Sequence, residues 1–366
     1  AYQLLFAERV PASAAVDQSV RCVRAAGTQR ASGLVNAVLR RLALEHHAVA
    51  LPALDAEPVA HLSHALSLPR WLAERWIERY GVEQAAALAA ACNRPPRLTI
   101  RANARRVDAL ALLAELRERF PDARRCQYAS SGIALGRKGN PALDPAYLEG
   151  RFSVQDEASQ LVVALLDPQP GERILDVCAA PGGKTTAIAE RVGATGDVVA
   201  LDRHARRLEL LRRAGRRLGL ENIRSFARDA TRELADLAPA GGFDRVLVDA
   251  PCTGLGTLRR NPDAKWRVRP GDCARLAQIQ RAILANAASV LRPGGVLVYS
   301  VCTLLAEENE QIAEGFLQSA RDFEPMPSSA LPRELAELGA DGGLLQTFPH
   351  LHDADGFFAA RFGRRR

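Results

Sequence analysis

Apolar positions along the chain follow two periods, and the change from one to the other divides it. From residue 1 to about 66 the spacing is helical throughout. Ser32 stands where a helix cap is wanted, and Leu34, Val35, Val38, Leu39 and Leu42 form an apolar stripe opposite Arg40 and Arg41, which predicts a small helical bundle. The segment PRWLAERWIERY (69–80) opens with Pro at a first-turn position and sets Leu72, Trp76 and Tyr80 four apart, the pattern of a helix burying one aromatic face. An Ala-rich stretch from Gln84 to Cys92 continues the helical material until Asn93, Pro95 and Pro96 stop it.

RLTIRAN (97–103) then alternates apolar and polar positions, the period of a half-buried strand. Val107, Leu110, Leu113, Leu116 and Phe120 return to helical spacing, and Cys126 to Leu135 reads as extended, giving a small strand-helix-strand module before Gly150. Arg101, Arg105 and Arg106 are expected on its solvated face, with RNA contact as the alternative. From Gly150 onward short apolar runs alternate with helices: RILDV (173–177), VVALD (198–202), FDRVLVD (243–249) and GVLVYSV (295–301). That alternation predicts a parallel sheet covered on both faces, whose ligands bind beyond the carboxyl ends of the strands.

Composition adds modest constraints. The 366 residues carry 49 Lys plus Arg against 42 Asp plus Glu, a net charge of +7, which favours a polyanion partner without requiring one. Only Lys138, Lys184 and Lys265 are lysines; the arginine excess suits phosphate contacts, but a GC-rich codon preference explains it as well. Seven cysteines without a CxxC pair argue against a disulfide framework or a structural zinc site. No apolar run approaches the roughly 18 residues of a membrane span, and AYQLLFAERVPAS lacks the pattern of a signal peptide, so a cytoplasmic location is expected. The opening Ala1 in place of Met suggests a preceding segment.

The chemistry concentrates at the strand ends. Asp176 and then CAAPGGKTT (178–186) form a Gly-rich turn entering a helix, a site for an anionic group. A phosphate-binding loop is one reading of that turn, since Gly183, Lys184 and Thr185 fit it, but it needs glycine where Cys178 stands; a nicotinamide-type GxGxxG is also absent. Asp202 closes the second strand, 26 residues after Asp176, where a carboxylate accepts ribose hydroxyls. Asp229, after a third strand near Ile223 to Phe226, is placed for an adenine edge, or is a helix cap. With the turn, Asp176, Asp202 and Asp229 point to a nucleoside pocket.

The fourth run ends in Asp249, Ala250, Pro251, Cys252 and the fifth in Ser300, Val301, Cys302, Thr303. Neighbouring strands lie about 4.8 Å apart, so both thiols can share one pocket beside the turn. Cys22, Cys92, Cys126 and Cys273 have no such context and read as structural. Between the two strand ends, Arg259, Arg260, Lys265, Arg267 and Arg269 flank Trp266 on the loop 254–270, equally a single-stranded nucleic-acid contact or a solvated loop. Arg212, Arg213, Arg216 and Arg217, opposite Leu208, Leu211 and Leu218, are expected on a solvated helix face.

LDVCAAPGGKTT, the VVALD end, DAPCTGLGTLRRNPD with KW, LRPGGVLVYSVCTLLAEENE and DGFFAARF together resemble the S-adenosylmethionine-dependent RNA cytosine-C5 methyltransferases, in particular the bacterial 16S ribosomal RNA enzymes of the RsmB/Sun/Fmu group. FSVQDEASQL (152–161) is similar to the segment before that family's catalytic sheet, and SGLVNAVLRRL looks like its NusB-type RNA-binding domain. The resemblance implies an all-α NusB-like N-terminal bundle (1–66), linker helices with a small α+β module (67–149) and a C-terminal α/β Rossmann-like class I methyltransferase domain (150–366). It implies S-adenosylmethionine bound by Cys178, Ala179, Ala180, Pro181, Gly182, Gly183, Lys184, Asp202, Asp229 and Asp249, with 16S ribosomal RNA as substrate and no metal. Cys302 would be the attacking thiolate, Asp249 would stabilise the activated ring, and Cys252 would assist removal of the C5 proton and release of the enzyme. Sequence logic by itself leaves Cys252 open as the nucleophile. An apolar strand end raises a thiol's pKa, so cations of the 259–269 loop are expected to offset it. Val301 departs from the family's usual Thr before the attacking cysteine.

Overall fold

The computed structural model describes residues 1–366 apart from 8, 47–49, 137–138, 327–334, 336–337 and 339–342, so Lys138 lies outside the described residues. The chain forms two compact units, Ala1–Ser67 and Leu68–Arg366. The first contains α1 (Tyr2–Phe6), α2 (Ala12–Ala25), α3 (Ser32–Glu45) and α4 (Pro58–His64). Helices α2 and α3 pack together, and Ala15, Val16 and Leu39 are buried. Ser32 is the first residue of α3 and makes no capping hydrogen bond. Leu34 and Val38 stay exposed because the apolar set spans two adjacent faces of α3, and only the face carrying Leu39 is covered.

The second unit opens with α5 (Arg70–Tyr80) and α6 (Val82–Cys92); Leu72 and Trp76 are fully buried, and Pro69 precedes the helix instead of entering its first turn. A small module follows: β1 (Thr99–Ala102), α7 (Ala109–Leu116), β2 (Arg124–Arg125), β3 (Gly132–Ala134), α8 (Pro145–Leu148) and β4 (Phe152–Val154). Its strands lie in the order β2-β3-β1-β4 and pair antiparallel. Asp108 caps α7 by accepting from the Leu110 and Ala111 amides, and Leu112, Leu113 and Leu116 pack on Ile100, Ile133 and Phe152. Leu110 faces solvent. The strand β1 is buried on both faces, not one, because Arg101 points into the next layer instead of into water.

The remainder is built from α9 (Glu157–Leu166), β5 (Arg173–Val177), α10 (Gly183–Val192), β6 (Asp197–Asp202), α11 (Ala205–Leu218), β7 (Ile223–Ala227), β8 (Phe243–Asp249), α12 (Ala264–Arg267), α13 (Pro270–Ser289), β9 (Leu291–Val301), α14 (Glu310–Ser319), β10 (Phe323–Pro325), β11 (Leu344–Thr347) and β12 (Phe357–Arg364). The sheet order is β10-β12-β9-β8-β5-β6-β7, with β11 paired to β12. Strands β5 to β9 are parallel, whereas β12 runs antiparallel to β9, from Phe358 opposite Val301 to Gly363 opposite Val296. The sheet is therefore mixed, correcting the all-parallel expectation; an apolar run such as FFAARF encodes burial but not strand direction. Alternate residues of each central strand enter opposite cores. Val246 and Val248 join Val177, Ile283 and Leu284 on one face, and Leu247 joins Ile174, Leu161 and Ile188 on the other. Strand order reverses between β5 and β8, which opens a crevice at their carboxyl ends.

Candidate active site

The ends of β5 through β9 line one cavity of about 530 Å³, inside the roughly 300–1,000 Å³ range of small-molecule sites. From the turn after β5 come Cys178 and Ala180; Asp202 ends β6 and Arg203 and His204 follow it, Asp229 follows β7, Asp249 ends β8 and Ala250 to Cys252 follow it, and Cys302 follows β9. Ala179, Pro181, Gly182, Gly183 and Lys184 lie outside the lining.

Those residues shape the turn. Gly182 has φ +110°, and a Cβ there would sit 2.8–3.0 Å from Leu211, so only glycine fits. Asp202 Oδ2 accepts from the Ala180 amide at 3.3 Å and Oδ1 from the His204 amide at 2.8 Å, which joins the turn to β6. Asp176 is fully buried behind it and accepts from Thr185 Oγ1 at 2.6 Å; burial pushes its carboxyl up to about 7. It braces the turn and does not reach the cavity. Asp229 accepts from Thr231 N–H and Oγ1, which lowers its pKa, so it is a local cap and a cavity residue at once.

Lys184 Nζ donates to Asp249 Oδ2 at 2.7 Å and lies 4.9 Å from the Phe357 ring centroid, while Ser300 Oγ donates to Asp249 Oδ1 at 2.8 Å. Asp249 and Ser300 are register partners in β8 and β9, so the strand pairing itself delivers this bond. It also brings the two thiols together: Cys252 Sγ and Cys302 Sγ are 3.4 Å apart. The hydrogen bond between them and burial push the Cys252 thiol well above its ordinary value. Val301 sits in the apolar core, register partner of Phe358, with its side chain away from solvent.

Several cations fall elsewhere than expected. Arg259 pairs with Asp353 at 2.8 Å, Arg260 bridges Asp355 (2.7 Å) and Asp156 (2.6 Å), and Lys265 reaches Asn93, so these loop cations fasten the unit internally and do not face the thiols. Trp266 remains exposed and Arg267 pairs with Asp263. The cations lining the cavity are Arg203, Arg207, Arg228 and Arg275. Arg101, expected on a solvated face, is buried against Glu190, and Arg217 is half-buried with its guanidinium 3.7 Å from the Tyr147 ring centroid. Both are drawn inward because a carboxylate, backbone carbonyls or an aromatic face from distant segments satisfy them. Cys22 is exposed, whereas Cys92 and Cys273 are buried.

Sequence reasoning missed one cluster. Thr253 and Thr303, each following one of the paired cysteines, share a 2.8 Å hydrogen bond, and both face the fully buried Glu308. The repeated Cys-Thr dipeptide was the available signal.

Carboxylate acceptors beside apolar Ala180, Ala230, Ile279 and Ile283 suit a ligand with hydroxyls and a planar ring, and the thiol pair adjoins them. A doubly wound sheet with these features at its switch point defines an α/β protein with a nucleoside-type ligand site, and the comparisons make it a methyltransferase. The chain belongs to the 16S rRNA methyltransferase RsmB/F family, whose model matches residues 163–363. The ferredoxin-like domain of the RsmF/B-like methyltransferases matches residues 68–140, and the NusB family matches residues 1–44. Its cofactor is S-adenosylmethionine and its activity is methylation of ribosomal RNA.

The probable ribosomal RNA small subunit methyltransferase B of Bacillus subtilis (strain 168) is 38% identical over 98% of this chain and 79% of that protein. The ribosomal RNA small subunit methyltransferase B of Pseudomonas putida is 36% identical over 98% of this chain and 79% of its own length. Among solved structures, a methyltransferase homolog protein from Pyrococcus horikoshii superposes with a TM-score of 0.71 at 29% identity, over 82% of this chain and 97% of that one. The phosphate-binding-loop reading of residues 178–186 is thereby set aside. Among the described residues no helix is long and apolar enough to cross a membrane.

Proposed function

We propose that this enzyme methylates carbon 5 of a cytosine in 16S ribosomal RNA through a transient bond between Cys302 and carbon 6 of the base. The observation that carries the reading is the pair of sulfurs 3.4 Å apart in the lining of the cavity. Cytosine C5 is a poor nucleophile, and addition of the Cys302 thiolate to C6 moves the ring's electron pair toward C5 as an enamine. When bound, the cofactor supplies an electrophilic methyl on sulfonium. As C6 is attacked N3 takes up a proton, which leaves again when the C6–S bond breaks, and Asp249, held by Lys184 and Ser300, is the fixed acceptor for that N3–H. After transfer, Cys252 assists removal of the C5 proton; the C5–H pair re-forms the C5=C6 bond, and the C6–S bond breaks to release the Cys302 thiolate. The assignment of Cys302 as the nucleophile and Cys252 as the proton-handling thiol follows the family resemblance.

In this proposal Asp202 takes the ribose hydroxyls, Asp229 the adenine edge, and Cys178 to Lys184 form the cofactor turn, with Ala179, Pro181, Gly182, Gly183 and Lys184 acting through its shape and through Asp249 instead of by lining the cavity. Residues 1–66 serve as an RNA-docking domain, 67–149 as linker and module, and 150–366 as the catalytic domain in the cytoplasm. The test is methyl transfer from labelled S-adenosylmethionine to unmethylated 16S RNA, offered free and in small-subunit particles, followed by digestion to nucleosides. Label in 5-methylcytidine, lost in Cys302→Ala with cofactor binding kept, is the expected result; label in any other nucleoside overturns the reading.

A further inference from the structure

The thiol-bearing turns are not fastened to each other by the strands alone. Glu308, on the short turn that follows Cys302 by six residues, is fully buried and accepts from three donors. Oε1 takes the Thr253 hydroxyl at 2.6 Å, with Thr303 Oγ1, which donates to Thr253 Oγ1, 3.5 Å away; Oε2 takes the Thr253 amide and Gln280 Nε2, both at 2.9 Å. Thr253 is the neighbour of Cys252 and Thr303 the neighbour of Cys302. Gln280, from α13, also donates to Pro251 O on the other side of Cys252, and Tyr299 donates to the Glu308 carbonyl at 2.7 Å. Glu308 itself is held from behind: its neighbours Glu307 and Glu310 pair with Arg75 and Arg79 of α5, and Tyr80 donates to Leu304 O. A buried carboxylate in this position is costly unless every donor is used, so the arrangement has one low-energy geometry.

We infer that Glu308 is a positioning residue that locks the turn carrying Cys252 to the turn carrying Cys302, so that the two sulfurs keep their separation while RNA and cofactor enter. The inference rests on the two-thiol reading above and adds to it the group that sets the thiols' geometry. Glu308 does not line the cavity and touches neither reactant. Its carboxylate contributes position, not a proton, and a neutral isostere can satisfy the same partners: the Gln oxygen accepts from the Thr253 amide and Gln280, and the Gln amide donates to Thr253 Oγ1.

The test compares Glu308→Ala and Glu308→Gln with wild type in single-turnover transfer of labelled methyl from S-adenosylmethionine to 16S RNA. Rates are normalised to the protein that binds cofactor, measured by titration. Glu308→Ala should lose about 100-fold in the transfer rate, the effect of a misplacement of order 1 Å, with KM for RNA and Kd for cofactor unchanged. Glu308→Gln should recover most of that loss. Should Glu308→Ala fail to fold, Thr253→Val breaks the hydroxyl bridge and should slow transfer about tenfold, the equivalent of one hydrogen bond to a charged acceptor. An undiminished rate in Glu308→Ala, or in Thr253→Val, overturns the lock and leaves the two-thiol reading standing. Glu308→Gln as slow as Glu308→Ala overturns it in favour of a proton-carrying role. Wild-type enzyme that labels an atom other than C5 overturns both.

Discussion

Replacing Arg101 by Met tests how the small module is fixed to the catalytic sheet. The Arg101 side chain is 6% exposed and that of Glu190 on α10 is 4% exposed. Nη2 donates to Glu190 Oε1 at 2.8 Å, Nε to Oε2 at 3.2 Å, Nη1 to the Gly183 carbonyl at 2.9 Å, and Nη2 also to Thr186 Oγ1 at 3.1 Å. Methionine keeps much of the stem's volume and removes every donor, leaving Glu190 buried without its ion-pair partner. Breaking a buried pair from one side costs about 3–5 kcal/mol, a large share of the roughly 5–15 kcal/mol that holds a domain. Replacing both partners, as Arg101→Met with Glu190→Met, removes the stranded charge and should restore much of the loss, because an apolar pair of similar volume is often neutral. The assay is urea unfolding at pH 7 in a two-by-two mutant cycle, read as shifts in midpoint at constant slope. Because Gly183 opens the helix after the cofactor turn, the single variant should also bind S-adenosylmethionine more weakly. A cost below about 1 kcal/mol, or a double variant no better than the single, would refute the reasoning.

Two further predictions concern the cofactor turn. Burial raises the Asp176 carboxyl from 3.8 to about 7, so between those values the folded chain holds a proton that the unfolded chain has released. Stability should therefore fall as pH rises through that window, by up to about 4 kcal/mol, and Asp176→Asn should flatten this part of a Tm-against-pH curve; parallel curves would count against the assignment. Gly182→Ala puts a Cβ against Leu211 at a φ of +110°. It should cost about 1–3 kcal/mol from backbone strain alone and weaken cofactor binding, as melting with and without S-adenosylmethionine will reveal.

What the sequence discloses here is what depends on near neighbours in the chain. The bounds of β5 and β8 coincide with RILDV and FDRVLVD because an apolar run buried on both faces leaves a local signature. The nearness of Cys252 and Cys302 follows from the adjacency of two crossover strands. Side chains whose partners are far along the chain were misplaced: Arg101 and Glu190 are 89 positions apart, and Arg260 and Asp355 are 95 apart. Periodicity carries no information about such pairs, so cations that end as internal ties read as a solvated face or an RNA contact. The antiparallel β12 was missed for a related reason, since its direction is set by where the chain returns to β9. Glu308 was hidden because nothing local in AEEN marks one carboxylate as buried, and only the fold turns it toward Thr253 and Thr303.

The most direct measurement is a denaturing gel of labelled 16S RNA incubated with S-adenosylmethionine and either Cys252→Ala, Cys302→Ala or the double variant. If Cys302 bonds to the base and Cys252 is needed for its release, a slow RNA–protein band accumulates with Cys252→Ala alone and vanishes in the double variant. A band with Cys302→Ala instead would exchange the two roles, and the absence of a band from both single variants would contradict the covalent route.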